Sequence, residues 1–301
     1  MSNQADILFY GSFEAERSWL GRKIRIEYPR PVAAPDTRVV MGDLGVILSL
    51  LRRDEQGLEG RGIVAFDSIG QDRLATEDAF LLSRAGVCLV SAIMSDAEAY
   101  KNMGLFKAVF APAAVMFFPL MLEDFKQPSG RRPDEGSKRV VSPGRIWRDF
   151  ETLRLAAERL ERTIHVVTDL GRITLGPSRW IEPLDLMPFD QLCDFMAGSA
   201  CVVVCTRPGN PAGQATAALS QYLGVPTVAT DLPALCDCMG VPRSILMVPP
   251  EDPSSLADAI RKVQDDRELA SGLSDAALKS SARLEAGAAG VMNDLLCSFG
   301  V

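Results

Sequence analysis

Histidine is nearly missing from this 301-residue sequence: the one copy is His165, between Ile164 and Val166 in a segment with strand character. Catalytic triads, histidine metal sites and histidine general bases are therefore disfavoured, because each needs an imidazole placed beside other reactive groups. No Asp-x-Asp pair occurs, which disfavours chemistry built on a divalent cation held by such a motif. Aromatics are sparse, with 4 Tyr, 3 Trp and 13 Phe, and are not interleaved with basic residues as in a platform for single-stranded nucleic acid. Basic charge is also in deficit. The formal net charge is -7, so a broad cationic face for duplex nucleic acid is not expected. Long hydrophobic runs are lacking. The longest, Ala108 to Leu122, spans about 15 residues and is broken by Pro112 and Pro119, short of the roughly 20 needed to cross a bilayer. It reads as buried strands. The opening Met1 to Asp6 is polar and predicts no secretion signal.

The seven cysteines (Cys88, Cys193, Cys201, Cys205, Cys236, Cys238 and Cys297) form no zinc-like pairs. Their odd number without a secretion signal predicts reduced thiols in a cytoplasmic setting. Cys236 and Cys238 are expected to be structural, and no metal site is expected.

A chain of this length suits two domains. The segment Lys126 to Arg139 has no large apolar residue, is rich in Pro, Gly and charge, and carries five basic and two acidic side chains. It reads as an exposed linker, with an anionic partner or a membrane surface as the other reading of its local charge of +3. The expected division is a small domain at 1–125, a linker at 126–138 and a second domain at 139–301.

Beyond the linker, short apolar runs alternate with amphipathic stretches. Strands are expected at Arg139–Ser142, Ile164–Thr168, Cys201–Cys205, Thr227–Ala229 and Ile245–Val248. Helices are expected after Asp149, at Phe189–Gly198 and Gln214–Leu223, and after the cap Asp252 with Pro253 at the first position. Such alternation predicts a parallel sheet covered on both faces. The first 125 residues alternate less clearly, with strands at Ile7–Tyr10, Gly62–Phe66 and Val87–Val90 and helices at Leu44–Arg53, Thr76–Ala85 and Asp96–Met103. Helices after Arg267 are expected to pack back towards the first 125 residues.

Ligands of parallel α/β sheets bind at the carboxyl ends of the strands. Two loops there have anion-binding chemistry. Ser142 to Asp149 leads into a helix and carries Gly144, Arg145 and Arg148, whose forked guanidinium groups suit phosphate. Thr206 to Thr216 leads into another helix, with Asn210, Gly213, Gln214, Ala215 and Thr216; Gly213 permits close approach to the backbone. Together they suggest a nucleotide-diphosphate pocket.

These residues carry a family resemblance over about 140 residues. Gly144-Arg145-Ile146, Arg148-Asp149-Phe150-Glu151-Thr152-Leu153, Gly213-Gln214-Ala215-Thr216, Gly224-Val225-Pro226-Thr227-Val228-Ala229-Thr230-Asp231 and Val248-Pro249-Pro250-Glu251-Asp252-Pro253 stand in the order found in donor domains of GT-B glycosyltransferases, and the segment resembles the family 4 type of retaining enzyme. The resemblance implies two Rossmann-like domains facing each other across a cleft, the first reduced in size. It implies a metal-independent transferase moving a sugar from a nucleotide-diphosphate donor to a glycan, lipid or small acceptor, without a cofactor. Gly144, Arg145, Arg148, Asn210, Gly213, Gln214, Ala215 and Thr216 would hold the donor, and Arg148 would stabilise the departing diphosphate. A peripheral position at the inner membrane face, or a protein partner, is compatible with it. The chain departs from the family at Pro211 and Leu219, where two glutamates are usual, and at Tyr10-Gly11-Ser12-Phe13, where a Gly-Gly loop is usual. These departures favour, as the alternative, a non-catalytic relative serving as a partner or regulatory subunit.

Overall fold

The computed structural model describes residues 7–10, 15–19, 22–27, 37–53, 58, 61–66, 74–91, 94–105, 107–111, 137–145, 147–209 and 212–300. Most of the linker (126–136), the apolar stretch 112–122, Gly11 to Phe13, Ile146, Asn210 and Pro211 lie outside the described residues. The chain divides into two α/β units: Met1–Asp124 with Ala286–Val301, and Phe125–Glu285. The sequence reading grouped residues 286–301 with the second domain; by contacts they belong with the first.

The first unit holds a seven-stranded sheet in the order β2-β3-β1-β4-β5-β6-β7. Its strands are β1 (Ile7–Tyr10), β2 (Ala15–Trp19), β3 (Arg22–Glu27), β4 (Val39–Asp43), β5 (Gly62–Phe66), β6 (Cys88–Ser91) and β7 (Val109–Phe110). Every neighbouring pair is parallel except the β2–β3 hairpin. The central strands are apolar on both faces. Val40, Ile63, Ala65 and Leu89 pack with Leu44, Ile47 and Leu48 of α1 (Leu44–Arg52), Leu82 of α2 (Thr76–Arg84) and Tyr100 of α3 (Met94–Asn102). The alternate positions Val39, Met41, Val64, Phe66, Cys88 and Val90 pack with Met292, Leu295 and Leu296 near the end of the chain. Period-two side-chain alternation explains how one apolar run feeds two cores. Gly62 is demanded here, since a β-carbon would lie 2.5 Å from the Phe299 ring.

The second unit holds a six-stranded, all-parallel sheet in the order β10-β9-β8-β11-β12-β13. The strands are β8 (Val140–Pro143), β9 (Ile164–Val167), β10 (Ile181–Leu184), β11 (Cys201–Val204), β12 (Thr227–Thr230) and β13 (Leu246–Val248). The chain builds outward from β8 to β10, then crosses back to β11 on the other side of β8. The order therefore reverses between β8 and β11. In a sheet of this kind that switch point is where a crevice opens at the carboxyl edge.

The helices are α4 (Phe150–Leu160), α5 (Phe189–Ala197), α6 (Gln214–Tyr222), the short α7 (Pro233–Cys236), α8 (Pro253–Asp265) and α9 (Arg267–Ser298). α4 buries Leu153, Ala156, Ala157 and Leu160 against Leu256, Ile260 and Val263 of α8. Each of those large aliphatic side chains contributes roughly 1.5–3 kcal/mol through burial. The helices foreseen after Arg267 are one continuous helix of 32 residues. Its residues up to Glu285 count with the second unit and those from Ala286 with the first. No helix among the described residues is long and apolar enough to cross a membrane.

Candidate functional site at the switch point

The site grows from the ends of the two central strands. β8 leads through Pro143 and Gly144 to Arg148. β11 leads through Cys205 to Thr206. The two loops are joined by backbone pairing. Arg148 and Thr206 form an antiparallel bridge, Asp149 N donates to Cys205 O at 3.0 Å, and Arg207 N donates to Trp147 O at 3.4 Å. Trp147 between them has a left-handed backbone, with φ of 58°, and its indole is 45% exposed.

Arg148 is buried, at 8% exposure. Its Nε and Nη2 donate to the Pro143 carbonyl at 3.3 and 3.2 Å, and Nη2 also donates to Thr216 Oγ1 at 3.0 Å. The guanidinium lies against Gly144, whose φ is 154°; a β-carbon there would stand 2.5 Å from Arg148 Cζ. Nη1 makes no hydrogen bond, and no carboxylate pairs with Arg148, among the described residues. The two nearest in sequence are engaged elsewhere. Glu151 pairs with Arg154 at 2.7 Å, and Asp149 accepts from Thr152 N at 3.1 Å and Thr152 Oγ1 at 2.8 Å. Arg148 is therefore not paired with Asp149 or Glu151. Burial pushes the guanidinium down to about 10, with a smaller opposing influence from Cys205, which leaves it charged at neutral pH. A buried cation without a counter-charge is costly to the folded state.

The start of α6 packs against these two loops. Gly213 is its N-cap, with φ of 95° and no side-chain cap. A β-carbon at Gly213 would meet Val204 Cγ1 at 2.6 Å and Thr206 Oγ1 at 3.1 Å, so only glycine lets the helix begin this close to the strand end. Two buried polar atoms here, Gln214 Nε2 and Thr206 Oγ1, have no hydrogen-bond partner among the described residues.

The structure thus brings together Gly144, Arg148, Gly213, Gln214 and Thr216, with Ala215 in the same first turn of α6. Arg145 stands apart. It is exposed and makes no hydrogen bond or ion pair among the described residues. Asn210 lies outside the described residues. Sequence reasoning passed over Thr206 as a site residue. The signal was a row of threonines, Thr168, Thr206 and Thr230, each at or just past the carboxyl end of an apolar strand. Thr168 Oγ1 is buried without a partner, and Thr230 Oγ1 accepts from Thr206 N at 3.0 Å.

His165 is half-buried on β9 and close to the amino edge; Nε2 faces Glu182 at 3.1 Å and Nδ1 faces Val140 O at 3.2 Å. Cys238 is buried, and burial followed by Asp231 pushes the Cys236 thiol up to about 11. No group of three His, Cys, Asp or Glu side chains able to hold a metal occurs among the described residues.

No family model and no curated protein matches the sequence. Solved structures do match. HepE (Alr3699) of Anabaena in complex with UDP aligns with TM-score 0.63 at 14% identity, over 91% of this chain and 86% of that one. Trehalose-6-phosphate synthase OtsA aligns with TM-score 0.63 at 14% identity, over 87% and 72%. Sucrose-phosphate synthase from Thermosynechococcus elongatus aligns with TM-score 0.60 at 14% identity, over 97% and 88%. The fold is that of GT-B glycosyltransferases, with parallel α/β sheets in both units.

Proposed function

We propose that this protein is a glycosyltransferase that binds a nucleotide-diphosphate sugar at the carboxyl edge of the second sheet and transfers the sugar to a glycan, lipid or small acceptor, with retention and without a metal. The observation that carries the reading is Arg148: a buried guanidinium with no carboxylate partner, at the point where the strand order reverses. A diphosphate supplies the missing counter-charge. Arg148 Nη1, the first turn of α6 with no side-chain cap and Gln214 Nε2, which has no partner among the described residues, are the donors offered to such a group. As the glycosidic bond breaks, negative charge grows on the departing nucleoside diphosphate. A fixed cation in a poorly hydrated crevice stabilises that charge more than it stabilises the ground state. HepE is known in complexes with UDP and with UDP-glucose, which supports a nucleotide-sugar donor. Gly144 and Gly213 act by letting the backbone approach; Thr216 holds Arg148 in place. Arg145, exposed at the rim, and Asn210 are assigned to the same donor.

A second reading has its own support. Leu219, at one of the usual glutamate positions, is buried on α6, and Asp149, beside Arg148 in the chain, is committed to its own helix. A protein that binds the donor without turning it over would have this composition. Thermal unfolding with UDP-, GDP- and ADP-sugars, followed by assay of sugar release, separates the readings. Stabilisation rises with ligand concentration by mass action. Binding with turnover supports the transferase, binding alone supports the partner, and no stabilisation by any nucleotide sugar removes both.

A further inference from the structure

We propose a second anion site on the same unit, at the opposite edge of its sheet, that takes a phosphomonoester. A cavity of about 530 Å³ opens at the amino ends of β8 and β9, lined by Ser137, Lys138, Arg139, Arg162, Thr163 and His165. The donor crevice lies at the carboxyl ends of the same strands, so the two sites share no residue.

The charges in this cavity are unequal in their commitments. Arg162 is spent: it donates to Gln264 Oε1 at 2.8 Å and pairs with Asp265 at 3.1 Å. His165 is spent on Glu182 and Val140 O. Arg139 is not. Its guanidinium lies over the Phe195 ring at 4.5 Å, and the Phe195 edge is held in turn by His165 at 5.7 Å. The contact holds the guanidinium at the ring while leaving its N–H groups without an acceptor among the described residues. Lys138 beside it forms no ion pair among them. Arg139 supplies the uncommitted cation, Lys138 beside it adds charge that it shares with the Asp265 carboxylate, and the hydroxyls of Ser137 and Thr163 add donors suited to phosphate oxygens. The volume exceeds that of a bare ion and falls within the range of small-ligand pockets. The recess is open to solvent and has room for an organic portion beside the phosphate. Lys138 and Arg139 stand in a chain whose net charge is -7. Localised positive charge on an acidic protein attracts anions selectively to that place.

A phosphomonoester could be carried by a free metabolite or by a lipid headgroup, and the test separates them. The full chain carrying Arg148→Ala, which disables the donor crevice, is titrated with glycerol 3-phosphate at constant ionic strength, and separately floated with phosphatidylcholine vesicles with and without 30% phosphatidic acid. Stabilisation by glycerol 3-phosphate indicates a soluble ligand; flotation restricted to phosphatidic acid vesicles indicates a lipid. Adding Lys138→Ala and Arg139→Ala weakens whichever is seen by about tenfold to a hundredfold. Arg139→Lys, which keeps the charge but not the planar stack, restores part of it and shows that loss was not misfolding. Absence of both effects in the Arg148→Ala protein, or effects unchanged by the added substitutions, overturns the proposal and leaves the donor reading untouched.

Discussion

α4 and α6 begin alike and end up with opposite electrostatics. Both leave the carboxyl edge from neighbouring central strands, β8 and β11, and flank the same crevice. α4 begins with Asp149, whose carboxylate sits on the amide and hydroxyl of Thr152. α6 begins with Gly213 and carries no side-chain cap. A helix N-terminus presents roughly half a positive charge, and a carboxylate a full negative one. The α4 end is therefore neutralised from within, whereas the α6 end keeps its field, with an unpaired guanidinium beside it. A loop rich in glycine and arginine ahead of a helix is thus an ambiguous signal. The charge of the capping residue decides whether that helix can receive an anion.

The comparison breaks most severely at Gly213. Gly213→Ala puts a side chain at φ of 95° and a β-carbon 2.6 Å from Val204. Backbone strain of about 1–3 kcal/mol and overpacking of similar size lower stability by roughly 2–4 kcal/mol. Chemical denaturation measures the loss. A stability within about 0.5 kcal/mol of wild type would show that α6 does not need this close start.

Arg148→Ala comes next. It removes the charge that makes the crevice complementary to a diphosphate. Charged hydrogen bonds contribute roughly 1.5–3 kcal/mol, so nucleoside diphosphate affinity falls by about tenfold to a hundredfold. Arg148→Lys recovers part, because an ammonium cannot reach Pro143 O and Thr216 Oγ1 while keeping a free edge for the ligand. Calorimetry at fixed salt is the measurement. Equal affinities for the alanine variant and wild type would shift the assignment to Arg145.

Much of this contrast was legible in the residues. The strands β8, β9, β11 and β12, the helix starts at Asp149 and Asp252, and the pairing of two loops at one edge follow from apolar runs bounded by Gly, Pro and Asp. Other elements were hidden for physical reasons. β2, the edge strand, carries Glu16 and Arg17, and charge on an edge protects it from pairing with another chain; β3 beside it has only Ile24 and Ile26 as large apolar residues between charged ones, too short an alternation to stand out. β10 contains Glu182 and Pro183, which argue against a central strand but are tolerated at the sheet edge where it lies. The burial of Arg148 was invisible, since nothing in Arg148-Asp149-Phe150 says that the neighbouring carboxylate turns to its own helix. The approach of Thr206 to Gly213 was equally hidden, because it depends on packing between separate segments.

Asp149 tests the comparison from the other side. Asp149→Ala removes the α4 cap and lowers stability by about 1 kcal/mol. Asp149→Ser keeps a capping oxygen and deletes the charge, so stability is largely retained. Freed of the carboxylate, α4 adds its own field to the crevice, and nucleoside diphosphates bind about two- to fivefold more tightly, the equivalent of roughly 0.3–1 kcal/mol from one helix end. Weaker binding by the serine variant would mean that Asp149 supports the site and does not oppose it.

The smallest effect concerns α8, which leaves the same edge after β13. Like α4 it starts on an aspartate: Asp252 accepts from Ser254 N and Ser255 N, both at 3.0 Å, and from Ser255 Oγ at 2.6 Å. The Ser255 hydroxyl first, then the Ser255 and Ser254 amides, hold its carboxyl below the usual carboxylate range. A group whose pKa is depressed by folding stabilises the fold once pH exceeds its unfolded value, and that contribution is lost as pH falls through the folded value. The cap therefore acts in full at neutral pH and fades in acid. Asp252→Asn removes the titration while keeping one acceptor oxygen. The melting temperatures of wild type and Asp252→Asn should differ at pH 7, with wild type higher, and converge as the pH drops below the usual carboxylate range. Because Asp252 is partly open to solvent, the difference is small and shrinks with added salt. A gap that widens in acid would assign the stabilisation to something other than the ionised cap. It would then weaken the argument, made for α4 as well, that these helix starts are closed by their own negative charge.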